Sequence, residues 1–125
     1  MRFWISLGGL FGGFAVMLGA FGAHALRNHL PEQKLAAFQT ATQYMATHSL
    51  ALLLVGILSL QLGKAYDARL KKVGGFFLAG IILFCGSIYI LTLGGSKLFG
   101  PITPLGGLSF MIGWFLLVLT FLKKY

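Results

Sequence analysis

Residues 3–23 read FWISLGGLFGGFAVMLGAFGA, and none of them is charged. As a helix rising 1.5 Å per residue, the run is long enough to cross roughly 30 Å of hydrocarbon. Three further uncharged stretches follow at about residues 44–62, 73–93 and 105–122, with every charged residue outside the four. The apolar residues run continuously instead of alternating, and in lipid each backbone group must be bonded within its own segment, so helices are read in preference to barrel strands. The expected fold is all-α: one integral-membrane four-helix bundle over residues 1–125.

Composition agrees. Of 125 residues, 58% are hydrophobic and 10% charged, with a mean hydropathy of +0.88. An average soluble domain carries about 25% charged residues, and a chain this short of charge needs lipid as its solvent.

Basic residues beside the spans set the orientation. Arg2, Lys64, Arg69, Lys71, Lys72, Lys123 and Lys124 fall on one side, against Arg27, Lys34 and Lys97 on the other. The richer side is expected to be cytoplasmic, which puts both termini inside. The net charge of +8 is then a topology signal, with anionic lipid headgroups as its partners at about 1 kcal/mol per basic residue; no nucleic-acid motif is present. Arg2 ahead of an apolar run ending in Ala23-His24-Ala25 also resembles a secretory signal, but the run exceeds the usual core of about 7–15 residues, so retention is expected.

Small residues are placed for close packing. In the first span Gly8, Gly12, Ala15, Gly19 and Gly22 recur at steps of four and three. That makes a groove along one face which lets another backbone approach, and Gly9 with Gly13 adds a second pair. The pattern predicts a first helix central to the bundle, with packing against another protomer as the open alternative. Sparser patterns occur at Ser49, Gly56, Ser59 and Gly63, at Gly75, Ala79 and Gly86, and at Ser109 and Gly113.

The first connection, His24 to Gln43, is structured. Pro31 suits the first position of a helix and Glu32 meets its positive dipole end. From there Leu35, Phe38, Thr42, Met45, Ser49 and Leu52 follow helical steps, so an amphipathic helix is expected to begin outside the membrane and lead into the second span. Thr103 is read as the N-cap and Pro104 as the first turn of the fourth span. The basic stretch Gly63 to Lys72 reads as the inner linker. Trp4 fits the inner interface, whereas Trp114 is expected nearer mid-membrane, where its indole N–H needs a partner.

Chemistry is sought among polar groups in lipid, whose desolvation is costly unless they are partnered. His24, Thr40, Gln43, Tyr44 and His48 gather near the outer boundary; Thr40, Tyr44 and His48, spaced by four, share a helix face. Three readings compete: a polar fastening of the outer end, a site for a lipid headgroup or small solute, and a metal or catalytic centre. Two histidines without a nearby carboxylate or thiol make an incomplete metal set, and no nucleophile and base have the spacing of a known motif. No enzyme, metal or cofactor is expected. Glu32 and Asp67 are the only acids and lie outside the spans, which argues against a proton-driven exporter. A small channel or transporter stays as the alternative. The comparison with fluoride channels fails on asparagine, because Asn28 in a loop is the sole one.

Three stretches together resemble a known family. They are Gly19-Ala20-Phe21-Gly22-Ala23-His24-Ala25-Leu26; Phe38-Gln39-Thr40-Ala41-Thr42-Gln43-Tyr44 with His48-Ser49-Leu50-Ala51-Leu52; and Gly100-Pro101-Ile102-Thr103-Pro104-Leu105-Gly106-Gly107 with Gly113-Trp114. In order and spacing they resemble the signatures of domain-of-unknown-function family 423, whose animal relatives are called transmembrane protein 256. Met45 and Ser49 depart from the family pattern, which often has Gln and Ala there. The resemblance implies a four-span protein of the bacterial inner membrane and supplies no activity. It draws attention to His24, Tyr44, His48, Thr103 and Pro104.

Overall fold

A computed structural model describes residues 2–122. Its helices are α1 (Arg2–His24), α2 (Glu32–Leu62), α3 (Lys64–Gly80), α4 (Gly86–Thr92) and α5 (Ile102–Leu122). A π-helical turn at Ile81–Cys85 joins α3 to α4, so that the two form one rod, Lys64–Thr92. Among the described residues four helices are long and apolar enough to cross a membrane. They alternate in direction. Trp4 packs over Gly74, and Tyr66 stacks on Phe121 at 5.5 Å, which places the start of α1 and the end of α5 at the same, basic end of the bundle. Lys123 and Lys124, part of the basic count, lie outside the described residues.

The segment before the second span is helical, and it is continuous with that span. Helix α2 starts at Glu32, with Pro31 at its cap and the Leu35 amide bonded to the Pro31 carbonyl. Its 31 residues extend about 46 Å at 1.5 Å per residue. Of the six positions at helical steps, Phe38, Thr42, Met45, Ser49 and Leu52 are buried. The ten-residue inner linker contracts to one residue: α2 ends at Leu62 and α3 begins at Lys64, with Gly63 between them at φ 74°. Only glycine takes that left-handed turn without a steric cost. The basic residues Lys64 to Lys72 therefore lie on the first turns of α3.

Helix α1 is a flank, and α2 and α3 form the centre. Of the most apolar window in each span, 17% of residues are buried in α1 against 44% in α2 and 39% in the α3 rod. The small face of α1 is used within the chain, against α2. A Cβ on Gly8 would meet Leu53 and the Ser49 carbonyl, and one on Gly22 would meet the Phe38 ring. Gly12 faces Ser49, Gly19 faces Thr42 and Ala15 is buried. The groove admits a single neighbour, and α2 fills it. Gly9 and Gly13 have open space beside them.

The α3 and α5 rods interlock through glycine and phenylalanine. Gly80 receives the Phe110 ring, Gly113 receives Phe77, and Gly106 lies against the backbone of Phe84 in the π turn. Gly75 and Gly86, singled out by their spacing, face open space.

Candidate functional site

Midway along α2, His48 is 4% exposed. Its Nε2 accepts a hydrogen bond from the indole Nε1–H of Trp114 at 3.0 Å. An indole can only donate, so Nε2 carries the lone pair and Nδ1 carries the proton, which it gives to the Tyr44 carbonyl one turn earlier at 2.8 Å. Both ring nitrogens are thus used. The imidazole stacks on Phe110 with centroids 3.7 Å apart and planes 16° from parallel. The edge of Phe77 approaches at 5.4 Å, and Tyr44 stacks at 6.1 Å. Tyr44 also stacks on Phe84 at 4.9 Å. The site is an aromatic box built by α2, α3, the π turn and α5.

Further polar bonds tie the same elements together. Thr42 donates to the Phe38 carbonyl at 3.0 Å, so the Tyr89 hydroxyl must donate to Thr42 across a 2.8 Å contact. Cys85 Sγ donates to the Ala41 carbonyl at 3.2 Å, and Ser109 Oγ donates to the Phe76 carbonyl at 2.7 Å. Ser87 donates to the Phe84 carbonyl, which leaves the Thr103 hydroxyl as donor to Ser87. These bonds join α2, α3, α4 and α5, while α1 is held by close packing.

The sequence-predicted cluster divides. Tyr44 and His48 meet. His24, at the end of α1, is exposed, and because Gly22 packs on Phe38 it lies level with that part of α2. The ten residues from Phe38 to His48 separate the two histidines by about 15 Å along the helix. His48 lies fourteen residues beyond Lys34, about 21 Å along α2, because the helix and its packing against α1 begin well before Tyr44. Thr40 is exposed and bonds back to the Ala36 carbonyl at 3.0 Å. Gln43 is exposed on a groove beside α1. Helix α5 begins at Ile102, and the Thr103 amide bonds to the Gly100 carbonyl at 3.3 Å. Thr103 and Pro104 therefore stand inside the first turn, and the Thr103 hydroxyl serves Ser87 instead of capping.

Sequence reasoning required a partner for the Trp114 indole without naming it, and it missed Phe77, Tyr89 and Phe110 altogether. The only signal for the first was the depth of an indole in an apolar span. Aromatic rings at 77 and 110 read as ordinary lipid-facing or core residues until the glycines opposite them are known. Among the described residues no three His, Cys, Asp or Glu side chains converge.

The profile of the family described as "Protein of unknown function (DUF423)" matches residues 18–107. A UPF0382 membrane protein of Staphylococcus aureus (strain bovine RF122 / ET3-1) is 41% identical over 98% of this chain and 98% of its own length. One from Staphylococcus saprophyticus is 41% identical over 95% of this chain and 96% of its own, and one from Bacillus subtilis (strain 168) is 39% identical over 98% of both. No solved structure matches the chain. The matched segment contains the first two polar stretches and most of the third, and with the relatives aligned from end to end, this chain belongs to the DUF423 family of small multi-pass membrane proteins, the UPF0382 membrane proteins of bacteria.

Proposed function

We propose that the protein is a non-enzymatic helix bundle of the bacterial inner membrane, with both termini cytoplasmic, which works through contacts with lipid and with other helices. The observation that carries this reading is the closed state of the polar box: both nitrogens of His48 are engaged within the chain. Among the described residues no buried side-chain nitrogen or oxygen lacks a partner. A catalytic or ligand-binding imidazole keeps a nitrogen free for its substrate; His48 spends one on the α2 backbone and the other on fastening α2 to α5.

The basic end supports the lipid contacts. Arg2 opens α1, and Lys64, Arg69, Lys71 and Lys72 lie on the first turns of α3. A cleft of about 540 Å³ at that end is lined by Phe3, Trp4, Asp67, Lys71 and Gly75. A lysine beside aromatic side chains suits a leaflet carrying anionic headgroups.

Native mass spectrometry of the intact protein released from membranes tests the reading. The expected spectrum shows the chain with phospholipid adducts of variable number. A stoichiometric metabolite or metal that disappears in His48→Ala would replace fastening with binding. Ion flux through protein-containing liposomes above that of empty ones would favour a channel.

A further inference from the structure

Lys71 and Lys72 are exposed on α3, and apolar surface continues past them toward the basic end. Helix α2 turns back at Gly63, so its exposed Leu60 and Leu62 lie level with the first turn of α3. Phe121 of α5 reaches Tyr66 in the same way. Lys71 is seven residues beyond Lys64, about 10 Å further along the helix. On one side Lys71 shares a cleft with Phe3, Trp4 and Asp67; on the other Lys72 shares one with Leu116 and Leu119 of α5. A cation among apolar side chains is costly unless its head is solvated or paired.

From Lys72 a groove of about 460 Å³ leads toward the middle of the bundle, lined by Gly75, Phe76, Ala79, Leu83 and Ser109. Its floor is apolar. The Ser109 hydroxyl is spent on the Phe76 carbonyl, and a Cβ on Gly75 would meet nothing. The eleven residues from Lys72 to Leu83 run about 16 Å, half of a hydrocarbon core of roughly 30 Å and so the depth of one leaflet. Positive charge at the mouth and a leaflet-long apolar trough behind it match an amphiphile with an anionic head. Water gains nothing from the trough, and a second copy of this chain would bring its own lysines against these.

We infer that α3 carries a site for one anionic phospholipid, with its phosphodiester held by Lys71 and Lys72 and one acyl chain laid in the groove from Gly75 to Leu83. A phosphoglycerol head suits the cleft beside it. The two lysines and Asp67 place two positive charges against one negative, and a single phosphodiester neutralises the remainder, while glycerol hydroxyls donate to the Asp67 carboxylate. A zwitterionic ethanolamine head would leave that charge unmatched. The inference rests on the lipid contacts proposed above and specifies one of them by position and headgroup.

Native mass spectrometry tests it on the full chain in non-ionic detergent, titrated with phosphatidylglycerol or with phosphatidylethanolamine of the same acyl chains. One phosphatidylglycerol is expected to bind about fivefold or more tighter than phosphatidylethanolamine. Lys71→Gln with Lys72→Gln is expected to weaken it about thirtyfold, the product of two charges beside an anionic lipid. Lys34→Gln with Lys97→Gln removes the same charge at the other end and is expected to leave it unchanged. Ala79→Leu fills the trough without altering charge and is expected to weaken binding about tenfold. Glycerophosphoglycerol, the head without chains, is expected not to compete. The inference is overturned by equal affinity for the two lipids, by an equal loss in the Lys34 and Lys97 pair, by binding unchanged in the lysine or the Ala79→Leu variant, or by competition from glycerophosphoglycerol. Such a failure would leave the bundle's other lipid contacts standing, whereas a metabolite lost in His48→Ala, or ion flux, would overturn the proposed role and leave this titration untouched.

Discussion

The indole nitrogen of Trp114 donates to Nε2 of His48 at 3.0 Å, joining residues 66 positions apart in a bond that fixes the imidazole tautomer. It links α2 to α5, which also meet through Phe110, stacked on the imidazole and 6.1 Å from the Tyr44 ring.

His48→Ala removes the acceptor and the ring on which Phe110 stacks. The orphaned indole and the lost packing are expected to cost about 2–4 kcal/mol. Unfolding in bicelles or mixed micelles measures it. Trp114→Phe keeps most of the volume and is expected to cost about 1 kcal/mol. A double-mutant cycle is expected to return a coupling of about 1 kcal/mol, and a coupling near zero would dismiss the bond as a fastener.

The glycines divide by what stands opposite. A methyl group on Gly106 would run into the backbone of Phe84, which cannot rotate away. Gly106→Ala is expected to destabilise by about 2 kcal/mol or more. Gly75→Ala and Gly9→Ala enter open space, and with the better helix propensity of alanine they are expected to be neutral or to stabilise by up to about 1 kcal/mol. The same unfolding assay across the three variants checks the ranking.

At the turn between α2 and α3, Gly63→Ala forces a side chain into φ 74°. The expected loss is about 1–2 kcal/mol, with no partner of any side chain removed. Gly63→Asn is expected to lose as much, because ψ is −162° there and asparagine's tolerance of positive φ is confined to the αL well.

Topology is tested by cysteine accessibility. With the basic end cytoplasmic, Lys97→Cys in intact cells is expected to react with a membrane-impermeant maleimide, and Lys64→Cys only after permeabilisation. The reverse pattern would invert the bundle and move the basic cleft to the outer leaflet.

Parts of this fold were legible along the chain. Uncharged runs of sufficient length specify spans wherever hydrocarbon is the solvent, and the steps from Phe38 to Leu52 marked the buried face of α2 because one helix keeps its period. The groove of α1 was legible for the same reason, though not that it would hold α1 at the flank. The basic stretch Lys64 to Lys72 was misread as a linker: charge ends a hydrophobic run, yet α3 continues through it on its own backbone bonds.

By itself, then, the sequence determined the solvent, the number of spans, the basic end and the need of Trp114 for a partner, since each follows from local composition and from the cost of burying polar groups. Only the tertiary structure decided that His48 is that partner and that His24 stands about 15 Å away along the bundle axis. Those facts depend on the rotation and vertical offset of each helix relative to its neighbours. Both are set by glycine and phenylalanine contacts such as Gly22 with Phe38 and Gly113 with Phe77, and no period within a single helix encodes them.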